Sequence, residues 1–400
     1  MDTRLKRNIW MLYIFSFFWL AMLIISVIVP FFESRGLTLA QVFYLQAIFA
    51  LVMVLFEVPS GYVADVLGRK NALVAGSLFH GLGFTWMCFA QGFGELVWAE
   101  VALGISGSLV SGSDLSLLYD SQQALGQSVQ ERARGIANMR FVKSVAEGVA
   151  ALLGGVLVLH SMDTTLYANA MVAWIPLFIA VLLVEAPFTR MDGNQHIANL
   201  KRVVSHLLLT DRLLALICAT MTLYSLLTFL VVWMLQPYWM NHGIPLAGLG
   251  FMWAAQSFVF AAATRFCLGL EARYGARPVL VVMALLPVAG YFGMGTFGGV
   301  SGILFSFCFS VSRGLNLVLL TDALNRRVPS EFRSTANSMV SLMFRAAYII
   351  TGPLLGFVVG WLGIPAALGV LGLVASVSFV ALMLPMLAEI RLFESRAPVG

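Results

Sequence analysis

The sequence predicts an all-α, polytopic membrane protein whose twelve transmembrane helices form two pseudo-symmetric bundles of six. Hydrophobic residues make up 60% of its 400 residues and charged residues only 11%, whereas a soluble domain carries about 25% charged residues. With about 20 residues for each span plus a short connection, a chain of this length holds roughly twelve helices. Long apolar runs such as 10–32 and 213–235 do not alternate between polar and apolar positions, which excludes a β-barrel.

Twelve apolar spans follow one another along the chain. They are predicted near residues 9–32, 39–62, 72–91, 95–119, 136–159, 167–186, 213–237, 247–270, 278–297, 300–323, 336–360 and 365–387. Each is long enough to cross the hydrocarbon core of a bilayer as a helix. The basic N-terminal segment precedes an apolar run too long for a signal peptide, and no small-residue cleavage site follows it. The first span is therefore expected to stay in the membrane.

The positive charges predict the orientation of the chain. Most of the 24 Lys and Arg residues fall in loops on the side of the N-terminus, and outside the spans only Arg35 faces the other side. Loops rich in Lys and Arg stay in the cytoplasm, so both termini are expected there and the protein in a bacterial-type inner membrane. With an odd number of spans, the Lys and Arg residues of the loops would no longer fall on one side of the membrane.

The longest polar stretch divides the chain into halves. Residues 1–186 are predicted as an N-terminal six-helix bundle, 187–212 as a cytoplasmic linker, and 213–400 as a C-terminal six-helix bundle. The halves repeat weakly at a spacing of about 200 residues, since the segment 134–138 recurs as 333–337. Duplicated halves related by an axis along the membrane normal are a known transporter architecture.

A short motif follows the second span. The sequence Gly61-Tyr-Val-Ala-Asp65-Val-Leu-Gly68-Arg69-Lys70 resembles the signature loop of the major facilitator superfamily. With the layout of six spans plus six, the resemblance covers essentially the whole chain. It implies two bundles around a central cavity, lined mostly by spans 1, 4, 7 and 10, that opens alternately to the two faces of the membrane.

Each residue of this signature loop has a physical interpretation. Gly61 permits close helix packing and Gly68 a tight turn, while Asp65 is placed to meet a helix N-terminus or an Arg of the neighbouring half. Arg69 and Lys70 hold the loop on the cytoplasmic side. A conformational latch that stabilises one access state and a simple topological anchor both remain open. The second copy, 268–277, has Ala272 in the place of Asp65 and leaves a second latch in doubt.

The fourth span departs from one branch of the superfamily. Many proton-driven drug exporters carry an Arg there, four residues before a Gly, whereas this chain has Glu100 before Gly104. The stretch 111–121 resembles a bacterial branch of efflux-type members instead. The resemblance therefore implies an efflux-type transporter without assigning the drug-exporter subfamily.

Ionisable residues inside the spans are candidates for function, because each costs roughly 2.5–3.5 kcal/mol to insert near the bilayer centre. They are Glu57, Glu100, Asp114, Arg140, Lys143, Glu147, Glu185, Arg265, Arg313 and Arg345. In the superfamily fold the second span meets the eleventh, so Glu57 and Arg345 are expected to form a gate. Charge reversal at one of them should then be rescued by reversal at the other.

A second group of gating candidates lies on the fifth span. Arg140, Lys143 and Glu147 are spaced i, i+3 and i+7 and share one helix face. In the superfamily fold this face is expected to meet Arg265 of the eighth span. Simple mutual neutralisation of these charges is the alternative to a gating role.

The transport site is expected on the spans that line the cavity. Glu100, Asp114 and Glu147 are the candidates for proton coupling, since burial of an acid brings its protonation towards neutral pH. The candidates for substrate contact are Arg313, Asn316, Asp114, Trp19 and Tyr224. Arg313 could bind a substrate anion or hold Asp114. The alternative is a serine-rich packing seam with a single ion pair.

The sequence holds no pattern of an enzyme. It has no phosphate-binding loop and no nucleophile elbow, so no nucleotide hydrolysis or acyl transfer is expected. Its four Cys and five His residues lack ligand spacing, and we expect no metal, no cofactor and no nucleic-acid partner. The expected partners are a small-molecule substrate, protons and the lipid bilayer, and the chain is expected to be a monomer.

These observations together predict a secondary active transporter that moves a small organic solute by alternating access. Proton-coupled export of a drug-like compound or a secreted metabolite, by antiport, is the preferred interpretation. A proton-driven importer of a nutrient, a non-transporting membrane sensor or scaffold, and a lipid flippase remain open.

Overall fold

The computed structural model describes residues 2–187, 211–329 and 332–389, and helices account for nearly all of them. No β-strand occurs within these ranges. Most of the predicted linker, residues 188–210, lies outside the described part of the chain.

Ten helical stretches of the described chain are long and apolar enough to cross a membrane. The first nine are α1 (Asp2–Ser34), α2 (Leu39–Val66), α3 (Arg69–Phe89), α4 (Phe93–Ala124), α6 (Met162–Leu182), α7 (Arg212–Asn241), α8 (Gly248–Tyr274), α9 (Ala276–Thr296) and α10 (Gly299–Asn325). Helix α5 (Val129–Leu157) has 29 residues, enough to span a bilayer, but carries several charges.

The last stretch contains two helices. The helix Arg333–Ser378 turns at Gly363, whose φ of 79° lies in the left-handed region, and this turn separates α11 (333–362) from α12 (364–388). With α5 and this division, the described residues form twelve membrane-length helices. The predicted fold class is thereby confirmed.

Helices α1 and α4 are each interrupted at residues with non-helical backbone geometry. Helix α1 loses its regular hydrogen bonding at residues 21–22 and continues through the 3₁₀ turn Leu23–Val27. Helix α4 consists of Phe93–Val110 and Ser113–Ala124, which meet at Ser111 and Gly112. Both breaks fall in spans that the sequence predicted as continuous.

The helices group into two compact units, each described by itself below. The first unit holds α1–α6 and the segment Ile244–Ser257 at the start of α8. The second unit holds α7, the rest of α8 and α9–α12. The division into halves with boundaries at 186 and 213 stays a prediction.

Both units use the same hydrogen bond to join their third and fourth helices. In the first unit Ser106 Oγ of α4 donates to the Gly76 carbonyl of α3 at 2.7 Å. In the second unit Ser312 Oγ of α10 donates to the Met283 carbonyl of α9 at 2.8 Å. Serine and glycine let helices approach closely in a membrane, and the serine hydroxyl then donates a hydrogen bond to a backbone carbonyl across the interface. The two contacts lie at equivalent places in the two units, as an internal duplication would give.

Candidate functional site

The break in α4 positions the first candidate residue. Gly112 has φ 85° and ψ −31°, a region that glycine enters without a steric penalty. Ser111 and Ser113 flank it, and this Ser-Gly-Ser run has low helix propensity. A new helix therefore starts at Ser113, and Asp114 lies in its first turn.

Asp114 forms a buried ion pair with Lys143 of α5. The Lys143 Nζ lies 2.5 Å from Asp114 Oδ2, and the side chains are 3% and 25% exposed. Asp114 Oδ1 also accepts a hydrogen bond from the Leu115 N–H at 2.7 Å. Both carboxylate oxygens are thus satisfied, and the opposite charges offset the cost of placing either one in the membrane.

This pair was not among the contacts that the sequence suggests. The sequence suggests Arg313 as a partner of Asp114 and Arg265 as a neighbour of Lys143, and the structure shows an ion pair between Asp114 and Lys143 within the first unit. Asp114 and Lys143 lie in consecutive helices joined by the short connection between α4 and α5. They lie at similar distances from this connection along their helices, and this spacing is the sequence signal for the pair. The other two candidates on this face of α5 are an exposed Arg140 and a half-buried Glu147.

Glu100 is a second buried acid in α4. It is nearly inaccessible, and its Oε1 accepts a hydrogen bond from Gln46 Nε2 of α2 at 3.2 Å. Within the described ranges no Lys, Arg or His lies within 4 Å of its carboxyl group. Glu100 therefore relies on a neutral amide rather than on a cation.

The signature loop between α2 and α3 is held by a carboxylate that the sequence analysis gave no role. Glu185, just after α6, accepts hydrogen bonds from the backbone N–H groups of Arg69 at 3.0 Å and Lys70 at 2.9 Å. These N–H groups belong to the first turn of α3 and have no partner within the helix. Gly68 precedes them with φ 97°, and a Cβ there would meet the Glu185 carboxylate.

The guanidinium of Arg69 ties the same loop to α4. Its Nη1 donates to the Ser116 carbonyl at 2.8 Å, and it forms an ion pair with Asp120. Asp65 is half-buried and forms no hydrogen bond or ion pair in the described part of the chain, although its charge acts on Arg69. Glu185 thus caps the N-terminus of α3, and Asp65 is left available for another partner.

One further expectation at this loop is modified. The close packing expected at Gly61 is absent among the described residues, because a Cβ built there would meet nothing within 4 Å. In the second unit Asp322 pairs with Arg326 at the end of its own helix, at 2.6 Å. This hydrogen bond raises the pKa of Arg326. Glu57 lies on α2 in the first unit, whereas Arg345 lies on α11 and Arg265 on α8 in the second.

We expect Glu185→Ala to destabilise the signature loop. Loss of the carboxylate leaves two N–H groups of α3 without an acceptor, at a cost of about 1–2 kcal/mol in the free energy of unfolding. Glu185→Gln keeps one acceptor oxygen and should recover part of this loss. Thermal unfolding of the purified protein in detergent checks both variants. Equal unfolding midpoints for Glu185→Ala and the wild type would contradict the capping role.

Asn316 is the buried polar centre of the second unit. Its Nδ2 donates to Ser225 Oγ of α7 at 3.0 Å and to the Met221 carbonyl at 3.3 Å. Its Oδ1 is buried and has no hydrogen-bond partner within the described chain. A buried amide oxygen without a donor is costly, so it is a natural acceptor for a ligand N–H or O–H group.

The remaining candidates are dispersed. Arg313 of α10 is exposed and lies 5.0 Å from the centre of the Phe260 ring, a cation–π contact. Trp19, just before the break in α1, stacks on His80 with ring centres 4.1 Å apart. Tyr224 is wholly buried in the apolar core of the second unit, and its hydroxyl has no partner among the described residues.

Comparisons with known proteins agree on one family. The model of the Major Facilitator Superfamily matches residues 9–331. The uncharacterized MFS-type transporter YxaM of Bacillus subtilis (strain 168) is 22% identical over 362 residues, which cover 88% of this chain and 87% of that protein.

Two solved structures have the same fold. The nucleoside transporter NupG superposes with a TM-score of 0.75 at 13% identity, over 97% of this chain and 99% of that one. A D-xylose–proton symporter superposes with a TM-score of 0.72 at 13% identity, over 96% of this chain and 98% of that one. At such identities the likeness concerns the fold alone.

Proposed function

Because the chain belongs to the Major Facilitator Superfamily of membrane transporters, we propose that it exports a small organic solute across a bacterial inner membrane in exchange for protons. It does so by alternating access, with both termini in the cytoplasm. The efflux-type assignment is supported by the stretch 111–121, which contains the break in α4. The transported compound is a drug-like molecule or a secreted metabolite.

The buried Asp114–Lys143 pair carries this proposal. The attraction between the two side chains exists only while Asp114 is ionised, so a proton on Asp114 removes the charge that holds Lys143. Uptake of one proton therefore changes the contact between α4 and α5. Proton-driven transport requires a group whose protonation alters helix packing in this way.

Glu100 and Glu147 supply further proton-accepting groups. Glu100 has an amide partner, Gln46, and an ionised carboxylate in such a place is costly without a cation. A protonated Glu100 avoids that cost. Glu147 lies one helical turn beyond Lys143 on α5 and provides a second acid beside the ion pair.

The second unit offers the groups that recognise the solute. Arg313 supplies a cation that attracts an anionic group, and the Asn316 Oδ1 supplies an acceptor for an N–H or O–H group. Tyr224 of the same unit has a buried hydroxyl without a partner in the described chain, and this hydroxyl supplies a further hydrogen-bonding group. These groups together suit an amphipathic or anionic metabolite.

The signature loop sets the access state in this proposal. Arg69 is fixed by Ser116 and Asp120, whereas Asp65 has no hydrogen-bonding partner of its own in the described residues. Asp65 is therefore free to bind a helix N-terminus or a guanidinium in one access state and to lose it in the other. Gly68 and Lys70 shape and orient the loop.

Proton flux in proteoliposomes tests the proposed function. The purified chain is reconstituted with a pH-sensitive dye inside the vesicles, and small-molecule pools are added outside one at a time. For export by antiport, entry of solute through the reversed reaction moves protons outward, so the interior becomes alkaline. Acidification of the interior on addition of solute would favour a proton-driven importer. Silence from every pool, with sodium also tested, would favour a non-transporting scaffold.

A further inference from the structure

The second segment of α4, Ser113–Ala124, makes polar contacts at both of its ends. At its start Asp114 pairs with Lys143 of α5. Further along, the Ser116 carbonyl and Asp120 both bind the guanidinium of Arg69 in the signature loop. This 12-residue helix, which we call the coupling segment, therefore joins the buried ion pair to the loop.

The two parts of α4 are held differently. The part before the break is fixed to α3 through Ser106, whose hydroxyl binds the Gly76 carbonyl. The coupling segment begins only after Gly112, which departs from helical geometry with φ 85°. A Cβ at Gly112 would meet no atom within 4 Å, so the space around this break is open. The break can therefore absorb a rotation of the coupling segment while the preceding part stays in place.

We propose that the coupling segment moves about Gly112 as one rigid helix and transmits the state of the Asp114–Lys143 pair to Arg69 and the signature loop. The inference deepens and rests on the proposed function, since it names how the proton-accepting site controls the loop. When the pair breaks, α5 no longer holds the start of the segment. The two groups that hold Arg69 lie on the same short helix, so the loop follows its movement.

This coupling has a physical basis in helix rigidity. An α-helix of 12 residues is about 18 Å long and keeps its internal hydrogen bonds when it tilts. Asn8 of α1 also contacts the segment, with Nδ2 at 3.3 Å from Ser121 Oγ. A change at Asp114 therefore reaches the far end of the segment as a displacement, without any rearrangement inside it.

Cysteine labelling in the signature loop tests this link. Leu67 is 60% exposed beside Gly68, and Leu159 is 70% exposed after α5. The background is the full-length protein without its native cysteines, with the substitutions Cys88→Ala, Cys218→Ala, Cys267→Ala and Cys308→Ala. Either Leu67→Cys or Leu159→Cys is then introduced as the only cysteine. The pair is then neutralised by Asp114→Asn together with Lys143→Met, which avoids leaving one charge buried alone.

We expect the neutralised pair to change the rate of maleimide labelling at Leu67→Cys by about fivefold, the lower range of coupling between linked sites. The rate at Leu159→Cys should stay the same. An unchanged rate at Leu67→Cys would overturn the inference. An equal change at both positions would also overturn it, because general loosening would then be the cause.

Two alanine variants test the role of Gly112. Gly112 and Gly126 both have positive φ, 85° and 69°, and neither has an atom within 4 Å of an added Cβ. Gly112→Ala and Gly126→Ala therefore impose similar backbone strain, but only Gly112 lies at the start of the coupling segment. The response at Leu67→Cys should be lost in Gly112→Ala and kept in Gly126→Ala. The same response in both variants would overturn the hinge.

The labelling experiment needs no transported solute. A chain that shows the coupling but gives no proton flux would contradict the proposed function and leave the mechanical link intact. A chain that gives proton flux without the coupling would contradict only this inference.

Discussion

The Asp114→Asn variant is expected to lose all solute-driven proton flux and to remain folded. Asparagine has nearly the same shape as aspartate, and its Oδ1 can still accept the Leu115 N–H. It cannot bind and release a proton, and it attracts Lys143 far less strongly than a carboxylate does. Flux measured with a pH dye in proteoliposomes should therefore fall to the level of empty vesicles.

Asp163→Asn is the matched control for this variant. Asp163 also forms an ion pair, with Arg35 at 2.7 Å, but its side chain is mostly exposed and lies at the start of α6. The same chemical change there should leave proton flux at the wild-type rate. Wild-type flux in Asp114→Asn would show that Asp114 is not the coupling residue, and Glu100→Gln would then be the next variant to measure.

Lys143→Met is expected to destabilise the protein strongly, and Asp114→Asn is expected to restore most of the loss. The single variant leaves a carboxylate buried without its partner, which costs about 2–4 kcal/mol in the free energy of unfolding for a pair with one partly exposed member. The double variant has no unpaired charge. Thermal unfolding in detergent should therefore rank the double variant above Lys143→Met.

An exposed ion pair provides the comparison. Arg326 and Asp322 are one helical turn apart at 2.6 Å, and both side chains are exposed. Such pairs contribute about 0.3–0.5 kcal/mol, so Arg326→Met should change stability little. If Lys143→Met were no more destabilising than Arg326→Met, the Asp114–Lys143 pair would contribute no more to stability than an exposed pair, which would contradict this prediction.

The fold follows from the sequence because hydrophobic length and charge placement are local properties. The twelve spans and the all-helical class needed only composition, apolar runs and loop charges. The interruptions of α1 and α4 were missed for a related reason. Residues 21–22 are apolar, whereas residues 111–112 are Ser and Gly. Hydropathy averaged over a whole span does not distinguish a regular turn from a break.

The partners of the candidate residues were harder to predict. Sequence gives the depth of a charge along a helix, but not which neighbouring helix its face meets. The sequence therefore predicts a gating role for Lys143 without identifying its partner Asp114. Glu185 was recognised only as an ionisable residue at the end of a span, although its carboxylate binds the start of α3 from 116 residues away.

The signature loop contains one feature that the sequence predicted and one contact that it did not. The turn predicted at Gly68 is present, with a positive φ that only glycine adopts readily. The capping role considered for Asp65 is taken within the first unit by Glu185, a residue outside the motif. A motif specifies its own backbone, whereas its contacts depend on helices that are distant in sequence.

Proton release on solute binding tests the central claim most directly. The purified protein is placed in detergent with almost no buffer and a pH-sensitive dye, and a solute identified from the active pool is added. Exchange of solute for protons predicts acidification of the medium by the wild type and none by Asp114→Asn. Proton uptake by the wild type, or an unchanged pH, would contradict proton-coupled export.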